Sequence, residues 1–284
     1  MDALVRYVGE GMDLVTLVFW RFAIASAIVA VPFFASGRRL PGWDATRFHA
    51  VRGLVHLLAS FLFFFALGRL ELTIVTVLGF TGAIWVIPTA WVMLKEKPGR
   101  IAILAALIGF LGVLVTSAGT DFAASSFEER AVGLAAVLAA AFFYGLSLVM
   151  LRKRAAADGS FAVALYANVF PALWSAGPAF LFGAPPRVDQ IPILIVLGVV
   201  GMSIWVFMTS AYSRAPAQRL APMEYTALVW SALIGWLAFN ETPSVLVWAG
   251  AALIVSACLL VVNEDRVKSP LRRAQIVPVK DDED

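Results

Sequence analysis

Charge is what this chain has least of. Asp, Glu, Lys and Arg make up 14% of its 284 residues, against about 25% in a soluble globular protein. So little charge does not cover the surface of a globule of this size. A water-soluble enzyme, a nucleic-acid module and a disordered chain are thereby excluded. A single cysteine, Cys258, rules out an intrachain disulfide and a cysteine-rich metal site, and reads as a small apolar helix residue. The only two histidines, His49 and His56, do not form the HExxH pair of a zinc protease. No GxSxG elbow occurs, the nearest string being Gly201-Met202-Ser203-Ile204-Trp205, and neither does a phosphate-cradling GxxxxGK[ST]. Period-2 alternation is missing as well, which argues against an outer-membrane barrel. Neither a cofactor nor a metal is expected.

What the chain has in quantity is apolar sequence: 61% of its residues are hydrophobic and the mean hydropathy is +0.86. A helix crossing about 30 Å of hydrocarbon takes roughly 20 such residues, so the supply suffices for about eight to ten spans. Nine runs are legible: Leu14–Phe34, Ala50–Leu67, Thr73–Leu94, Ile101–Ala118, Ala131–Leu151, Phe161–Phe182, Ile191–Ala211, Leu220–Phe239 and Val245–Asn263. Short connections make neighbouring spans antiparallel hairpins. The charged stretch from Glu264 to Asp284 reads as a solvated, disordered tail.

Loop charge gives orientation. Seventeen of the 22 Lys and Arg fall in one set of alternate loops plus the tail. Four fall in the opposite set and the N-terminal stub, and Arg21 lies inside a span. The C-terminus is therefore expected in the cytoplasm. The sequence pI of about 9.2 is a topology signal, not a sign of nucleic-acid binding.

Shifting the chain by 145 positions places Ala66, Arg69, Thr81, Trp85, Trp91, Glu96 and Pro98 on Ala211, Arg214, Thr226, Trp230, Trp236, Glu241 and Pro243. In both copies a span leads to a charged turn and then to another span. The two turns fall on opposite sides of the membrane, which marks an inverted repeat. Such repeats are characteristic of transporters, with substrate bound near the midplane. The second unit, from about Ala131 to Asn263, contains five spans, and inversion requires an odd count. The first unit, residues 1–118, is therefore expected to be a five-helix unit whose first helix is truncated at Met1, from a parent with ten spans.

Polar residues within spans are costly and point to function. Arg21, roughly 10 Å into its span, suits an anionic or zwitterionic substrate; the alternative is a side chain that snorkels to the headgroups. His56 is either a titrating pathway group or a hydrogen-bonded core histidine. Asn168 falls opposite Arg21 under the repeat and either lines a cavity or bonds across helices. Glu224, with Tyr225, is the only carboxylate clearly within a span, and no acid lies near the midplane. Coupling through a deep carboxylate is therefore not expected. Glu96 and Glu241 read as hairpin-locking groups. Trp20, Trp85, Trp91, Trp205, Trp230 and Trp236 either line a cavity for aromatic or amphipathic substrates or, for half or more of them, serve as interface anchors or packing; Trp85 and Trp230 fall mid-span and are the better cavity candidates. Gly109, Gly112, Gly133, Gly198 and Gly201 mark expected close helix crossings.

The Glu96-x-Pro98 and Glu241-x-Pro243 turns, the Trp20-Arg21-Phe22 start of the first complete span and the short basic loops together resemble the drug/metabolite transporter superfamily, specifically its EamA-like members. The resemblance covers about Leu4–Asn263. It implies ten helices, both termini inside, a central cavity between the halves, and export or exchange of small metabolites such as amino acids or drugs. The expectation is an all-α integral membrane protein of the inner membrane, not an enzyme. Its partners are a small-molecule substrate and the bilayer, with a homodimer as a further expectation and no nucleic acid. A channel or receptor, or a multi-span membrane enzyme, is the alternative.

Overall fold

The computed structural model describes residues 12–70, 75, 78–117, 127–230 and 245–274. Trp236, the Glu241-x-Pro243 turn and the stub before Met12 lie outside the described residues. Within them every regular element is helical. In chain order the helices are α1 (Leu14–Ala35), α2 (Trp43–Leu67), α3 (Gly82–Leu94), α4 (Arg100–Ser117), α5 (Phe127–Asp158), α6 (Ser160–Phe182), α7 (Ile191–Arg214), α8 (Ala217–Leu220) and α9 (Val245–Ala274). Short 3-10 turns at Val188–Gln190 and Ala221–Tyr225 precede α7 and follow α8.

Among the described residues, four stretches are long and apolar enough to cross a bilayer: Leu14–Ala35, Trp43–Leu67, Ala131–Asp158 and Val188–Arg214. Gly82–Leu94, Arg100–Val115 and Val245–Leu260 are apolar but shorter. Helix α6 has the length, but Tyr166, Asn168, Ser175 and two prolines dilute its apolar content.

The helices overrun the hydropathy runs. Helix α2 begins at Trp43, seven residues before the apolar run at Ala50, and α5 continues to Asp158. Arg47, Arg52, Arg152, Lys153 and Arg154 are therefore helical residues, not loop residues. The backbone of α9 likewise runs helically past Glu264 to Ala274, so the first half of the charged tail is helix and not the disordered segment expected.

The chain gathers into two compact units. In the first, α1 packs on α6 and α7, α2 on α5 and α6, and α3 on α5. Helix α1 starts where the Asp13 carboxylate accepts the Thr16 N–H at 2.8 Å, satisfying an end-of-helix donor. The same carboxylate accepts the Ala184 N–H at 3.2 Å, while the Thr16 hydroxyl donates to the Ala184 carbonyl at 3.0 Å. At Gly53, a Cβ would run into Phe170 Cβ; its absence is what lets α2 and α6 touch. Helix α3 ends on Lys95 in the left-handed region at φ 57°.

In the second unit, α4 pairs with α9, and the Ala221–Tyr225 turn lies against α4. A Cβ on Gly112 would sit 2.8 Å from the Gly250 carbonyl oxygen, and one on Gly109 would strike the Tyr225 ring. Of the five expected close helix crossings, Gly112 meets α9 and Gly198 meets α1, while Gly109 faces the Tyr225 ring of the 3-10 turn and Gly133 the Leu70 side chain just past α2. Gly201 is the exception, since a Cβ there would meet nothing within 4 Å. Gly201 is nonetheless buried, on the same stripe of α7 as Gly198 and Trp205.

Candidate functional site

Helix α2 buries one stripe, Ala45, His49, Arg52, His56 and Ala59, spaced three and four apart as on one helical face. Three of the five are basic or titratable, and all three turn inward, toward α5, α6 and α7. Each meets a different environment.

His49 is fully enclosed, and its Nε2 lies 2.9 Å from Oδ2 of Asp158. In the tautomer with the proton on Nε2 the ring donates to that carboxylate. Arg154 grips the same carboxylate with two hydrogen bonds, at 2.6 and 2.9 Å. Tyr166 stacks on the imidazole at 5.3 Å, and its hydroxyl hydrogen-bonds the Thr46 hydroxyl at 2.9 Å. This end of α2 is a paired polar network through His49 Nε2, while Nδ1 has no hydrogen-bond partner among the described residues.

Two turns further along, the pairing stops. His56 is buried edge-on between the Phe22 ring at 5.6 Å and the Trp205 indole at 4.7 Å. Neither of its ring nitrogens has a hydrogen-bond partner among the described residues. Arg52 is 1% exposed, with its guanidinium 5.0 Å over Trp205. One long contact, Nη2 donating to the Val163 carbonyl at 3.5 Å, is its hydrogen bond, and Nε and Nη1 have none among the described residues. Arg21 is also buried, 4.0 Å over the Phe22 ring. The guanidiniums of Arg21 and Arg52 both lie close enough for their charges to act on His56. Three basic side chains thus surround two aromatic rings, and no acid is paired with Arg52 among the described residues. A buried guanidinium costs several kcal/mol unless compensated.

The residues singled out from sequence are distributed as follows. Arg21 and His56 converge through Phe22. Asn168 is buried on α6, and its amide Nδ2 donates to the Ala164 carbonyl one turn back at 2.8 Å, so one of its two amide hydrogens is spent within its own helix. Trp85 on α3 is 42% exposed and meets Phe142 edge-on. Tyr225 is fully buried beside Gly109 in the second unit, next to a half-buried Glu224, and Trp230 there is 62% exposed. Glu96 accepts from Arg152 Nε at 3.3 Å, and its carbonyl accepts from the Gln218 amide at 2.7 Å. Arg152 also donates to the Tyr212 carbonyl at 2.8 Å, so the α3 turn is tied to α5 and α8.

Arg52 is the residue that sequence reading misplaced. Counted as an inner-loop charge, it lies upstream of most of its apolar run; extending the three-four spacing back from His56 finds both Arg52 and His49. Asp158 and Trp205, on other helices, carry no such signal.

The sequence pattern of the EamA-like transporter family matches residues 2–118 and 131–263. The chain belongs to the EamA-like transporter family. Its relatives are named transporters of the drug/metabolite superfamily, and this EamA-like protein is a multi-pass membrane protein. It is 28% identical over 260 residues to a riboflavin transporter of Brucella anthropi, which covers 90% of each chain. It is 28% identical over 265 residues to the pseudopaline exporter CntI of Pseudomonas aeruginosa, over 91% of this chain and 89% of that one. It is 25% identical over 266 residues to an S-adenosylmethionine uptake transporter of Rickettsia bellii, over 93% and 89%. A solved crystal structure at 20% identity superposes with a TM-score of 0.78 over 92% of each chain, which establishes the shared fold.

Proposed function

We propose that this EamA-like protein is a secondary carrier of small organic metabolites, working by alternating access between two inverted five-helix repeats, residues 1–118 and 131–263. Its setting is the inner membrane, with the 264–284 tail and the C-terminus in the cytoplasm. The observation that carries this reading is the convergence of Arg21 and His56, both buried within apolar helices of a transporter-family chain. Ionisable groups in such helices mark substrate pathways. Arg21 and His56, with Asn168 and Trp85, are the candidate substrate residues of the first unit, and Glu224, Tyr225 and Trp230 are those of the second. The repeat draws support from two threonines 145 positions apart. The Thr81 hydroxyl donates to the Leu78 carbonyl at 2.6 Å, and the Thr226 hydroxyl donates to the Met223 carbonyl at 2.7 Å. Each hydroxyl donates to the carbonyl three residues back, as two copies of one turn would.

The relatives' names cover riboflavin, pseudopaline and S-adenosylmethionine, and include both uptake and export. That range supports organic metabolites as the class and leaves direction to the individual protein. Counterflow in proteoliposomes, guided by a metabolite screen of overexpressing against deletion cells, tests the reading. Saturable, trans-stimulated exchange is the expected result. Flux that never saturates would identify a channel, and no flux with any screened metabolite would remove the carrier reading.

A further inference from the structure

The Arg21–His56 pair accounts for two of the three basic groups at the α1–α2–α7 contact and leaves Arg52 without a role. Its burial is complete, its hydrogen bonding is one long contact, and its nearest strong interaction is the indole face of Trp205. His49, one turn away on the same stripe, shows that this fold supplies a carboxylate where a buried basic group is meant to be satisfied internally, namely Asp158. Arg52 was given none among the described residues. A guanidinium presents a planar fork that matches a carboxylate or phosphate, and it binds such oxyanions with two parallel hydrogen bonds. Nε and Nη1, its donors without a hydrogen-bond partner among the described residues, lie on different edges of the guanidinium, and each edge is completed by Nη2, whose one contact is the long bond to Val163. His56 adds a ring N–H, and Trp205 a flat apolar face in contact with both groups.

We infer that Arg52, His56 and Trp205 form an oxyanion seat that takes the carboxylate or phosphate of an aromatic substrate, with the guanidinium holding the anion and the indole stacking the ring. Arg21 adds positive charge from the far side of Phe22. The seat rests on the carrier reading, because a site buried this deeply loads and empties only when the helices around it part. It names the substrate class for that site: an anion with a flat, conjugated body, not a cation or a neutral polar solute.

The test uses the full chain purified in detergent, with phenylacetate, phenyl phosphate and neutral phenylacetamide as probes. A ligand that binds the folded state raises the melting temperature by mass action. The two anions are expected to raise it in a saturable way, and phenylacetamide to have no effect. If only one anion does so, the seat stands and its oxyanion is identified as carboxylate or phosphate. An equal shift with the amide overturns the seat. Arg52→Gln is expected to weaken the apparent affinity about tenfold or more, as loss of a charged hydrogen-bond partner does. Arg52→Lys, which keeps charge but not the fork, should fall between. If Arg52→Gln does not fold, the comparison of anion with amide on the unaltered protein still decides. An Arg52→Met chain that melts higher and still responds to the anions would make Arg52 a packing residue and overturn the proposal. The carrier reading fails separately. Saturable counterflow of a neutral or cationic metabolite, unaffected by Arg52→Gln, keeps the carrier and removes the seat. Anion binding that depends on Arg52, without counterflow, keeps the seat and removes the carrier.

Discussion

The His49 imidazole lies 2.9 Å from the Asp158 carboxylate, a contact that joins α2 to the end of α5 across 109 positions of sequence. Asp158 is 5% exposed at its side chain, whereas Arg154, its other partner, is 30% exposed. The His49 side of the contact therefore carries more of the energy than the i,i+4 pair. Asp158→Asn is expected to cost about 1.5–3 kcal/mol, and Arg154→Gln under about 1 kcal/mol. Thermal melts of the two variants in detergent check the order; a larger loss for Arg154→Gln would contradict it.

Transport should separate the buried site from the exposed tryptophans. Arg21→Ala and His56→Ala are expected to lower counterflow at least about tenfold, a loss of roughly 1.4 kcal/mol or more of transition-state binding. Trp85→Ala and Trp230→Ala should lower it by less, since both side chains are largely exposed. Asn168→Ala tests whether a residue with one amide hydrogen already used at Ala164 still contributes. Unchanged counterflow in both Arg21→Ala and Asn168→Ala would remove these residues from the site.

Two glycines on neighbouring helices should respond oppositely to one added methyl group. Gly53→Ala drives a Cβ into Phe170 and is expected to destabilise by about 1–3 kcal/mol as α2 and α6 are forced apart. Gly201→Ala meets nothing within 4 Å, and should be neutral or stabilise by up to about 1 kcal/mol through helix propensity. Melting temperatures of the two variants, measured side by side, check the difference.

The start of α1 should loosen in acid. Partial burial pushes the Asp13 carboxyl up. The Thr16 amide and hydroxyl and the Ala184 and Val15 amides outweigh this and hold it below its usual value near 3.8. A carboxyl lowered in the folded state contributes stability that is fully present above its ordinary value and is lost as pH falls through the lowered one. Hydrogen exchange at Thr16 and Ala184 is therefore expected to be protected at neutral pH and to quicken, relative to its intrinsic rate, only below about pH 4. Asp13→Ala should remove this dependence and cost about 1 kcal/mol of helix capping.

Much of this protein was legible in its sequence because the signals are local. Transfer of apolar residues into hydrocarbon adds up along a run, so the all-helical membrane class followed from composition, and most helix positions followed from the runs. The Trp20-Arg21-Phe22 and Glu96-x-Pro98 strings were enough to indicate the family. Arg21 and His56 stood out because a charge inside an apolar run is anomalous whatever it touches. Arg52 did not stand out, because it sits at the edge of its apolar run and counts with the loop charges, whereas α2 begins seven residues before that run. Which buried base is paired was decided only by tertiary structure. His49 finds Asp158, while Arg52 and His56 meet Trp205, and these partners come from α5 and α7. A hydrogen bond or a stacked ring depends on positions in space that helix packing sets, and spacing along one helix holds no record of them.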